Sequence, residues 1–441
     1  MVQVPVVVVA GPLAEVVPDN NRQQARSRLL LIVPPNSYRT VAYLESARRQ
    51  GIDILVASEG EHSLVSAVAS GLHVDLNAPE ALDLLLAANQ ECPFNGVVAT
   101  DDTTVELGSR IAETLGLPHN PPQAALYSHR KDLSRKVLQA AGVRVPVFRV
   151  LNLATAIAPQ LQGLGLPCVV KPLSLSASRG VMRADTPQQV QSACRRIQSI
   201  VRGEGVADDY VASHVLAEAF ISGPEVALEG LLHRGTLEVL AIFDKPDPLE
   251  GPFFEETYYT TPSRHAAAIQ QEIIKCVRGA CDGLGLREGP VHAEVRIGKS
   301  GCAIIEVAAR TIGGECARLL RFGTGHGLED LVIAHATGRP LPIERSSGAA
   351  GVLMIPITQA GSLRRIEGIT RARAVPFIED ILINIRDGYE LVPLPEGSSY
   401  LGFMFACAPT PVQVEAALRA AHAELEIVVA PLIRIEDRRE A

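Results

Sequence analysis

The first 125 or so residues alternate between short apolar strands and longer segments with helical periodicity. Strand-like runs occupy residues 28–33, 52–57 and 96–100, and helical patterns occupy residues 38–50 and 101–115. Strands that are apolar throughout, rather than at every second position, are typical of a parallel sheet that helices cover on both faces. The sequence therefore predicts an N-terminal α/β domain, residues 1–125, which ends just after a proline-rich break.

The rest of the chain is richer in strands. Three runs at residues 213–219, 226–232 and 237–243, separated by turn residues, predict an antiparallel meander. A long helix is predicted at residues 262–284, and the tail from about residue 346 reads as short strands and turns. The patterns predict a central unit at residues 126–345, with a smaller lobe at about 146–220 and a larger lobe at 221–345. They also predict a C-terminal subdomain at residues 346–441.

Charge and cysteine content exclude several classes of protein. The 49 acidic residues outnumber the 41 basic ones, so the chain lacks the basic excess that holds nucleic acid or a membrane surface. No apolar run reaches the about 18 residues of a membrane span. The apolar start has no basic residue before Arg22, which favours a strand or a loose arm over a signal peptide. The eight cysteines are scattered without a CxxC pair, which favours free thiols and a cytoplasmic location.

The most specific pattern is a predicted hairpin that carries two glutamates. Centring its turn on Ser300 sets three cross-strand pairs: Glu294 with Glu306, His292 with Ala308, and Arg296 with Ile304. Alternation then puts both glutamates on one face, with Cβ atoms about 4.5–5.5 Å apart. Two such carboxylates repel each other unless a cation lies between them, and an all-oxygen site suits Mg²⁺. The alternative is a solvated face on which each glutamate pairs with a nearby arginine.

A second pattern is a lysine at the end of an apolar strand. Lys171 follows Cys168-Val-Val, where a buried charge is costly unless it meets an anion. The loop that follows is small and flexible, so its N–H and hydroxyl groups can surround phosphate oxygens. Its key residues are Ser174, Ser176, Ser178 and Gly180. The alternative is a lysine that reaches solvent before an ordinary surface loop.

A third pattern is a strand, a short bend and a second carboxylate. It runs from Glu218 through Phe220 to Glu225. Such a segment can present a backbone edge to a purine and an acid to ribose hydroxyls. The alternative is that Glu225 is a plain surface residue.

In this order the three patterns resemble the ATP-grasp superfamily, and the resemblance covers nearly the whole chain. The segment from Arg130-Lys131 to Ala141-Gly142-Val143 and Pro146 is similar to the superfamily's "K…R…L…AGV..P" segment. The first domain resembles the one that precedes the grasp in biotin carboxylase. The resemblance implies an α/β ATP-grasp fold with this N-terminal parallel-sheet domain and a C-terminal α+β lobe.

The resemblance also implies how the chain would bind its cofactors, ATP and Mg²⁺, with Mn²⁺ as an alternative metal. The implied ATP-binding residues are Lys131, Lys171 and the loop 174–180 for the phosphates, Glu218 and the Phe220 backbone for adenine, and Glu225 for ribose. Glu294 and Glu306 would hold the metal. Arg310 would be the catalytic residue, stabilising an acyl phosphate and the tetrahedral species formed from it.

One departure from the superfamily concerns the metal. The superfamily commonly has Glu-x-Asn-x-Arg on the last strand, whereas this chain has Glu306-Val-Ala308-Ala-Arg310. The asparagine would be a metal ligand, so Ala308 puts the second metal in doubt. His292, opposite Ala308 in the predicted register, either occupies that space or bonds to the backbone.

Within the superfamily, the chain resembles the L-amino acid ligases of the bacilysin-synthetase type and carnosine-synthase-like enzymes. The resemblance rests on four segments: Glu225-Val-Ala-Leu-Glu229-Gly, Asp244-Lys245, residues 254–262, and Arg310-Thr-Ile-Gly313-Gly314. It implies that Glu256, Tyr259, Arg310, Gly313 and Gly314 bind the substrate, with Glu256 pairing with its ammonium. Tyr259 stands where histidine is common, which suggests a different side-chain preference. The alternative for Glu255-Glu256 is an exposed acidic turn.

The resemblance implies an ATP-dependent carboxylate–amine ligase that forms an amide or dipeptide bond through an acyl phosphate and releases ADP and phosphate. The expected partners are small molecules, an amino-acid carboxylate and an amine, and neither nucleic acid nor a membrane is expected. A homodimer is compatible with the resemblance. Two alternatives stay open. One is a carboxylase- or purine-pathway-type ATP-grasp enzyme that activates bicarbonate or formate, and the other is a non-catalytic nucleotide-binding module, which Ala308 favours.

Overall fold

The computed structural model describes five stretches of the chain, residues 27–60, 64–69, 71–206, 208–343 and 347–432. The apolar start, for which the sequence favours a strand or a loose arm, lies outside them. The N-terminal elements are β1 (Arg28–Ile32), α1 (Thr40–Gln50), β2 (Asp53–Ser58), α2 (Leu64–Val68), β3 (Gly71–His73), α3 (Ala81–Glu91), β4 (Gly96–Ala99), α4 (Val105–Thr114), α5 (Pro122–His129) and α6 (Lys131–Ala140).

The first four strands form a parallel sheet in the order β3-β2-β1-β4. Leu29 and Leu31 on β1 pack with α1 on one face, whereas Leu30 and Ile32 pack with α3 and α4 on the other. Because both faces are covered, every residue from Leu29 to Ile32 is fully buried. This confirms the parallel sheet that the continuous apolar runs predict.

A small antiparallel sheet follows, in the order β5-β8-β6-β7. Its elements are β5 (Phe148–Asn152), α7 (Ile157–Gln160), β6 (Cys168–Pro172), β7 (Met182–Ala184), α8 (Pro187–Gly203), α9 (Asp209–Ser213) and β8 (His214–Ala219). Helix α8 begins at a capping box, in which Thr186 and Gln189 satisfy each other's backbone N–H groups. It packs Val190 and Ile197 against Val170 of the sheet, which leaves the opposite face of β6 and β8 free to face a cleft.

The largest sheet has eight strands, in the order β13-β12-β9-β10-β11-β14-β18-β16, and a three-stranded sheet, β17-β15-β19, lies beside it. The elements are β9 (Glu225–His233), β10 (Thr236–Asp244), β11 (Tyr258–Thr261), α10 (Ala267–Leu284), β12 (Gly289–Gly298), β13 (Gly301–Ala308), α11 (Arg318–Thr324), α12 (Leu328–Ala336), β14 (Ala349–Ile355), β15 (Gly361–Glu367), α13 (Ile369–Arg373), β16 (Ile378–Ile383), β17 (Glu390–Leu391), β18 (Gly402–Ala408), α14 (Pro411–Ala423) and β19 (Glu426–Ala430).

The predicted three-strand meander is wrong at its first strand. β9 and β10 form the expected antiparallel hairpin, but β8 belongs to the small sheet. The bend at Gly223 redirects the chain, and its φ of 126° suits glycine. A Cβ at Gly223 would lie 2.2 Å from the Ile297 carbonyl oxygen, so only glycine lets β9 enter beside β12 here.

Two other expectations also need correction. The long helix begins at Ala267 rather than at residue 262, because Tyr258–Thr261 forms β11. The tail is not only strands and turns, since Pro411–Ala423 forms a helix whose Thr410 cap accepts from the Gln413 N–H. Strand β14 of the tail pairs with β11, so one sheet contains strands from both sides of the predicted boundary at residue 346. The domain limits themselves remain predictions.

Side-chain alternation on β12 positions the polar residues of the large sheet. Val291, Ala293 and Val295 pack against α10 in an apolar core. The residues between them, His292 and Glu294, therefore face the other side, toward the small sheet. Among the described residues, no helix combines the length and apolarity that a membrane crossing requires.

Candidate active site

A cavity of about 630 Å³ opens between the small sheet and the eight-stranded sheet. Its wall contains residues from each group that the sequence singles out: Lys131, Lys171, Ser176, Ser178, Glu218, Phe220, Glu225, Glu256, Tyr259, Glu294, Glu306, Arg310, Gly313 and Gly314. Ser174 and Gly180 are not among the wall residues. The binding role of each residue remains a prediction, but the structure brings the expected phosphate, metal and substrate groups to one cleft.

The predicted hairpin register is confirmed at its centre and wrong near its turn. Glu294 lies opposite Glu306 and His292 lies opposite Ala308, as predicted. Arg296 lies opposite Ala303 rather than Ile304, because the register shifts by one residue after Glu294. The turn joins Gly298 to Gly301 and so does not centre on Ser300, which puts the pairs next to it one residue out of the predicted register. The extra residue of the β-bulge, Ile305, restores the predicted register at Glu294.

Lys245 is a charged residue at the centre of the site to which the sequence analysis gave no role. Its side chain, only 3% exposed, follows β10 and points between three carboxylates. The ammonium donates to Glu225 Oε1 at 2.7 Å, to Glu294 Oε1 at 2.8 Å and to Glu256. These are the residues expected at the ribose, the metal and the substrate ammonium. One signal was available, since the chain has only six lysines and this one follows an apolar strand.

The carboxylate cluster around Lys245 is close to charge balance at neutral pH. A second cation, Arg296, donates to Glu225 Oε2 at 2.7 Å, so two positive groups meet three carboxylates. Burial raises the pKa of Glu256 to about 8. Burial also disfavours ionisation of Glu294, but the Lys245 ammonium outweighs it and holds the pKa of Glu294 below its usual value. Glu256 is therefore mostly protonated at neutral pH, and the cluster can accept a further cation when Glu256 releases that proton.

Glu256 and Glu225 are not surface residues. The Glu256 side chain is 21% exposed and lines the cavity, so an exposed acidic turn is the wrong description for it. Glu225 is buried and its carboxylate is shared by Lys245 and Arg296. The Phe220 ring lies beneath the Arg183 and Arg296 guanidinium groups, at 4.7 and 5.5 Å from its centroid. These contacts fix the bend between β8 and β9 as one wall of the cavity.

Lys171 is buried rather than reaching solvent. Its ammonium pairs with Glu218, which also accepts from the Arg135 guanidinium of α6. Burial disfavours ionisation of Glu218, but Arg135 and then Lys171 outweigh it and lower the pKa of that carboxyl group. The expected phosphate-binding lysine and the expected adenine-facing glutamate thus form one buried ion-pair network with Arg135, for which the sequence patterns predicted no role in the site.

The loop after Lys171 is held at several points. The Lys131 ammonium donates to the Leu175 carbonyl at 2.8 Å and lies 3.5 Å from a Glu306 oxygen. At the other end, the Gly180 N–H donates to the Pro395 carbonyl at 2.9 Å. Ala177 has a φ of 54°, a left-handed conformation that costs energy for a residue with a side chain. The loop therefore contacts both α6 and the C-terminal region while lining the cavity.

Arg310 is positioned by the N-terminal domain. Its Nε donates to Asp102 Oδ2 at 3.0 Å, and Asp102 follows β4 of the parallel sheet. The Gly314 N–H donates to the Tyr38 hydroxyl at 2.9 Å, and Arg39 donates to the Ile312 carbonyl at 3.1 Å. The sequence gave no pattern that links these residues, because more than 200 positions separate Asp102 from Arg310 and Tyr38 from Gly314.

The His292 side chain, opposite Ala308, pairs with a carboxylate side chain rather than with the backbone. Its Nδ1 lies 3.2 Å from Glu229 Oε2, and the other Glu229 oxygen accepts from the Ile312 N–H at 3.1 Å. Burial raises the pKa of Glu229. Glu229 therefore ties β12 to the loop that follows β13, and the expectation of a backbone bond for His292 is wrong.

The donor set of the hairpin fits a single Mg²⁺. Glu294 and Glu306 are paired across neighbouring strands and both line the cavity, and carboxylate oxygens are the ligands that Mg²⁺ prefers. Glu306 is 26% exposed, with Lys131 at 3.5 Å, so its carboxylate is open to the cavity. Ala308 offers no ligand atom at the position where asparagine is common, so the described residues favour one metal over two.

Comparison with known proteins agrees with this geometry. Three family models match consecutive parts of the chain: the ATP-grasp N-terminal domain over residues 44–119, the ATP-grasp domain over residues 164–318, and the L-amino acid ligase C-terminal domain 2 over residues 353–430. The crystal structure of L-amino acid ligase from Bacillus licheniformis superposes with a TM-score of 0.76 at 28% identity, covering 92% of this chain and 100% of that one.

Two further relatives are similar in sequence. An uncharacterized protein, y4rH, of Sinorhizobium fredii is 23% identical, over 94% of this chain and 85% of its own length. The alanine–anticapsin ligase of Bacillus subtilis is 26% identical over 55% of this chain, and the match spans about half (54%) of that ligase. Since the matched domains extend from residue 44 to residue 430 in the order of the fold, the chain belongs to the ATP-grasp superfamily, among its ATP-dependent carbon–nitrogen ligases.

Proposed function

We propose that the protein is an L-amino acid ligase. It uses ATP to convert the carboxylate of one amino acid into an acyl phosphate, and it joins that acyl group to the amine of a second amino acid. One observation supports this more than any other. A single cavity contains two lysines, a glutamate pair, an arginine and a buried carboxylate cluster that can accept one more cation. A substrate with both a carboxylate and an ammonium fits that combination.

The first step is phosphoryl transfer. A carboxylate oxygen attacks the γ-phosphorus of ATP, an acyl phosphate forms and ADP leaves. Lys131 and Lys171 neutralise phosphate charge, and the loop hydroxyls of Ser176 and Ser178 donate to phosphate oxygens. Glu294 and Glu306 would hold Mg²⁺, which would supply further charge shielding at the phosphates. Most of the catalysis is alignment and charge neutralisation, because phosphoryl transfer needs little covalent chemistry from the protein.

The second step forms the amide bond. The neutral amine nitrogen of the second substrate attacks the acyl carbon, the carbon–oxygen bond to phosphate breaks, and the amine proton passes to the departing phosphate. Arg310 stabilises the negative charge that develops on the acyl oxygen. Asp102 keeps the guanidinium in place, so the N-terminal domain contributes to the reaction through Arg310. Closure of the loop over the acyl phosphate excludes water that would hydrolyse it.

The wall beside Glu256 suggests which side chains the substrate carries. Apolar and aromatic groups dominate there: Phe254, Tyr259, Met354, Tyr400 and Phe403. Glu256 pairs with the substrate ammonium, and this apolar surface contacts the side chain. We therefore expect at least one substrate to be an apolar or aromatic amino acid, because burying such a side chain contributes about 1.5–3 kcal/mol to binding.

The direct test is a screen of phosphate release over pairs of amino acids, with mass spectrometry of the products. We expect ADP and a dipeptide in equal amounts for at least one pair, with Mg²⁺ or with Mn²⁺. ADP release with bicarbonate or formate and no amino acid would favour the carboxylase- or purine-pathway-type reaction instead. ATP binding with no ADP release for any pair would indicate a non-catalytic module.

The metal assignment has its own test in Glu306→Gln. The substitution removes the charge and keeps the shape, so turnover should fall at least about a hundredfold while the melting temperature without ATP stays nearly the same. Glu238→Gln, an exposed glutamate on β10, is the matched control and should keep full activity. A large loss of melting temperature in Glu306→Gln would show that Glu306 is a structural residue.

A further inference from the structure

A cluster of two histidines and one glutamate lies outside the active-site cavity. His233 ends β9, Glu288 precedes β12, and His335 is near the end of α12. Pairing of Leu232 with Gly289 brings the first two together at one end of the large sheet. None of the three contributes to the wall of the active-site cavity.

The nitrogen and oxygen atoms of this cluster converge. Glu288 Oε2 lies 3.3 Å from His335 Nε2 and 3.7 Å from His233 Nδ1, and all three atoms lie within 4.8 Å of one another. Ligands of tetrahedral Zn²⁺, bound at about 2.0–2.2 Å, are separated from each other by about 3.3–3.6 Å. The Glu288–His335 distance falls within that range, and the Glu288–His233 distance exceeds it slightly.

The two histidine nitrogens both contact the central oxygen. Glu288 Oε2 is buried and accepts no hydrogen bond, although Oε1 accepts from the Arg234 N–H at 2.9 Å. The Gly289 N–H lies 3.3 Å from His335 Nε2, which itself lies 3.3 Å from Glu288 Oε2. Either a proton on Nε2 or a metal cation between the nitrogen and the carboxylate oxygen satisfies both atoms.

The surroundings hold the ligands and leave an opening. The Asn120 side chain accepts from the Glu288 N–H at 2.9 Å and donates to the Glu288 carbonyl at 2.8 Å, which fixes the loop. The Glu288 and His335 side chains are 13% and 14% exposed, whereas His233 is 68% exposed. Two ligands are therefore held within the fold, and the third reaches them from the solvent side, where water can complete the coordination.

We propose that His233, Glu288 and His335 form a binding site for a divalent cation of the zinc class, separate from the magnesium site. Imidazole nitrogens select such metals over Mg²⁺, which prefers an all-oxygen shell. Bound there, the cation joins β9 and the loop before β12, at one end of the large sheet, to α12, which packs against α1 and β4 of the N-terminal domain. Its role is structural, because no residue of the cluster lines the active-site cavity.

The test is titration of the full-length, untagged protein with Zn²⁺ in a buffer that contains excess Mg²⁺, measured by calorimetry and native mass spectrometry. We expect one Zn²⁺ per chain at this site and a rise in melting temperature on binding. His233→Ala should weaken binding at least about tenfold, and Glu288→Gln and His335→Gln should do the same. Absorption of the Co²⁺-substituted protein should show tetrahedral bands that these variants lose.

Controls separate this site from other ligands. His73→Ala removes an exposed histidine outside the cluster, and Cys92→Ser removes an exposed thiol, so both should keep the binding. Glu288→Gln retains an acceptor for the Arg234 N–H, which guards against loss of the fold, and the metal-free melting temperature of each variant checks this. Absence of stoichiometric binding, or binding that persists unchanged in His233→Ala and His335→Gln, would overturn the proposal.

Discussion

Replacing Lys245 by methionine removes the cation from the centre of the active site while keeping a side chain of similar length. Three glutamates would remain, with carboxylate oxygens within 4.8 Å of one another, and Arg296 would compensate only Glu225. Breaking a buried ion pair by removing one partner costs about 3–5 kcal/mol, because the remaining charges stay buried without compensation. We therefore expect a destabilisation of this size at neutral pH.

The expected change in melting temperature follows from the length of the chain. Unfolding entropy averages about 2.1 cal/mol/K per residue, or about 0.9 kcal/mol/K for 441 residues. The melting temperature of Lys245→Met should then fall by about 3–5 °C if the chain unfolds as one unit. The fall is larger if the lobe containing Lys245 unfolds separately.

The destabilisation should also depend on pH and on metal. Without the ammonium, the main offset to burial at Glu256 and Glu294 is lost, so the pKa of each carboxyl group should lie above the unfolded value. The folded state then binds more protons and regains stability as the pH falls. The cost is therefore greatest at alkaline pH and smaller near the ordinary carboxylate pKa. Mg²⁺ should stabilise Lys245→Met more than the wild type, because three carboxylates without a lysine form an all-oxygen site.

Differential scanning calorimetry without nucleotide, at several pH values and with or without Mg²⁺, measures these effects. Lys275→Met is the matched control, since Lys275 is exposed on α10 and should have almost no effect. If Lys245→Met and Lys275→Met have the same melting temperature at every pH, the Lys245 ammonium does not stabilise the three carboxylates. The charges assigned to the site would then be wrong.

Three further predictions concern the loop, the thiols and a buried acid. Glu396→Gln weakens the paired hydrogen bonds by which Arg196 of α8 holds Glu396, the neighbour of the Pro395 that contacts the loop at Gly180. KM for ATP should then rise about two- to fivefold and ADP should exceed dipeptide; equal amounts would contradict this. In native protein, Cys92 should react first with a thiol reagent, since burial raises the pKa of Cys168 to about 11, and Cys92→Ser should remove that phase. Burial raises the pKa of Glu229, so its contribution to stability is present below the ordinary carboxylate pKa and is lost as the pH rises through the raised value. Glu229→Gln should therefore flatten the pH profile of the melting temperature. An unchanged profile would show that Glu229 does not titrate with a raised pKa.

Much of the fold and part of the site followed from local patterns. The continuous apolar run of β1 predicted a strand buried on both faces, and alternation on β12 and β13 predicted that Glu294 and Glu306 would be neighbours. Both inferences depend on interactions within a few residues or across one short turn. Strand periodicity and turn chemistry are sufficient to specify such interactions.

The local rules failed where the backbone departed from regular geometry. The turn from Gly298 to Gly301, with the bulge at Ile305, put Arg296 opposite Ala303, and the bend at Gly223 sent β8 and β9 into different sheets. Neither event has a clear signal in hydrophobic periodicity. Each depends on which distant strand competes for the same backbone hydrogen bonds.

By itself, the amino-acid sequence determined the parallel N-terminal sheet, the glutamate hairpin and the lysines of an ATP-grasp fold. The tertiary structure decided the electrostatics of the site: Lys245 among three carboxylates, Glu218 between Arg135 and Lys171, and Asp102 behind Arg310. The physical reason is that a side chain's charge is known from its identity, but its burial and its partners depend on segments that lie far apart in the chain and meet only in the folded protein.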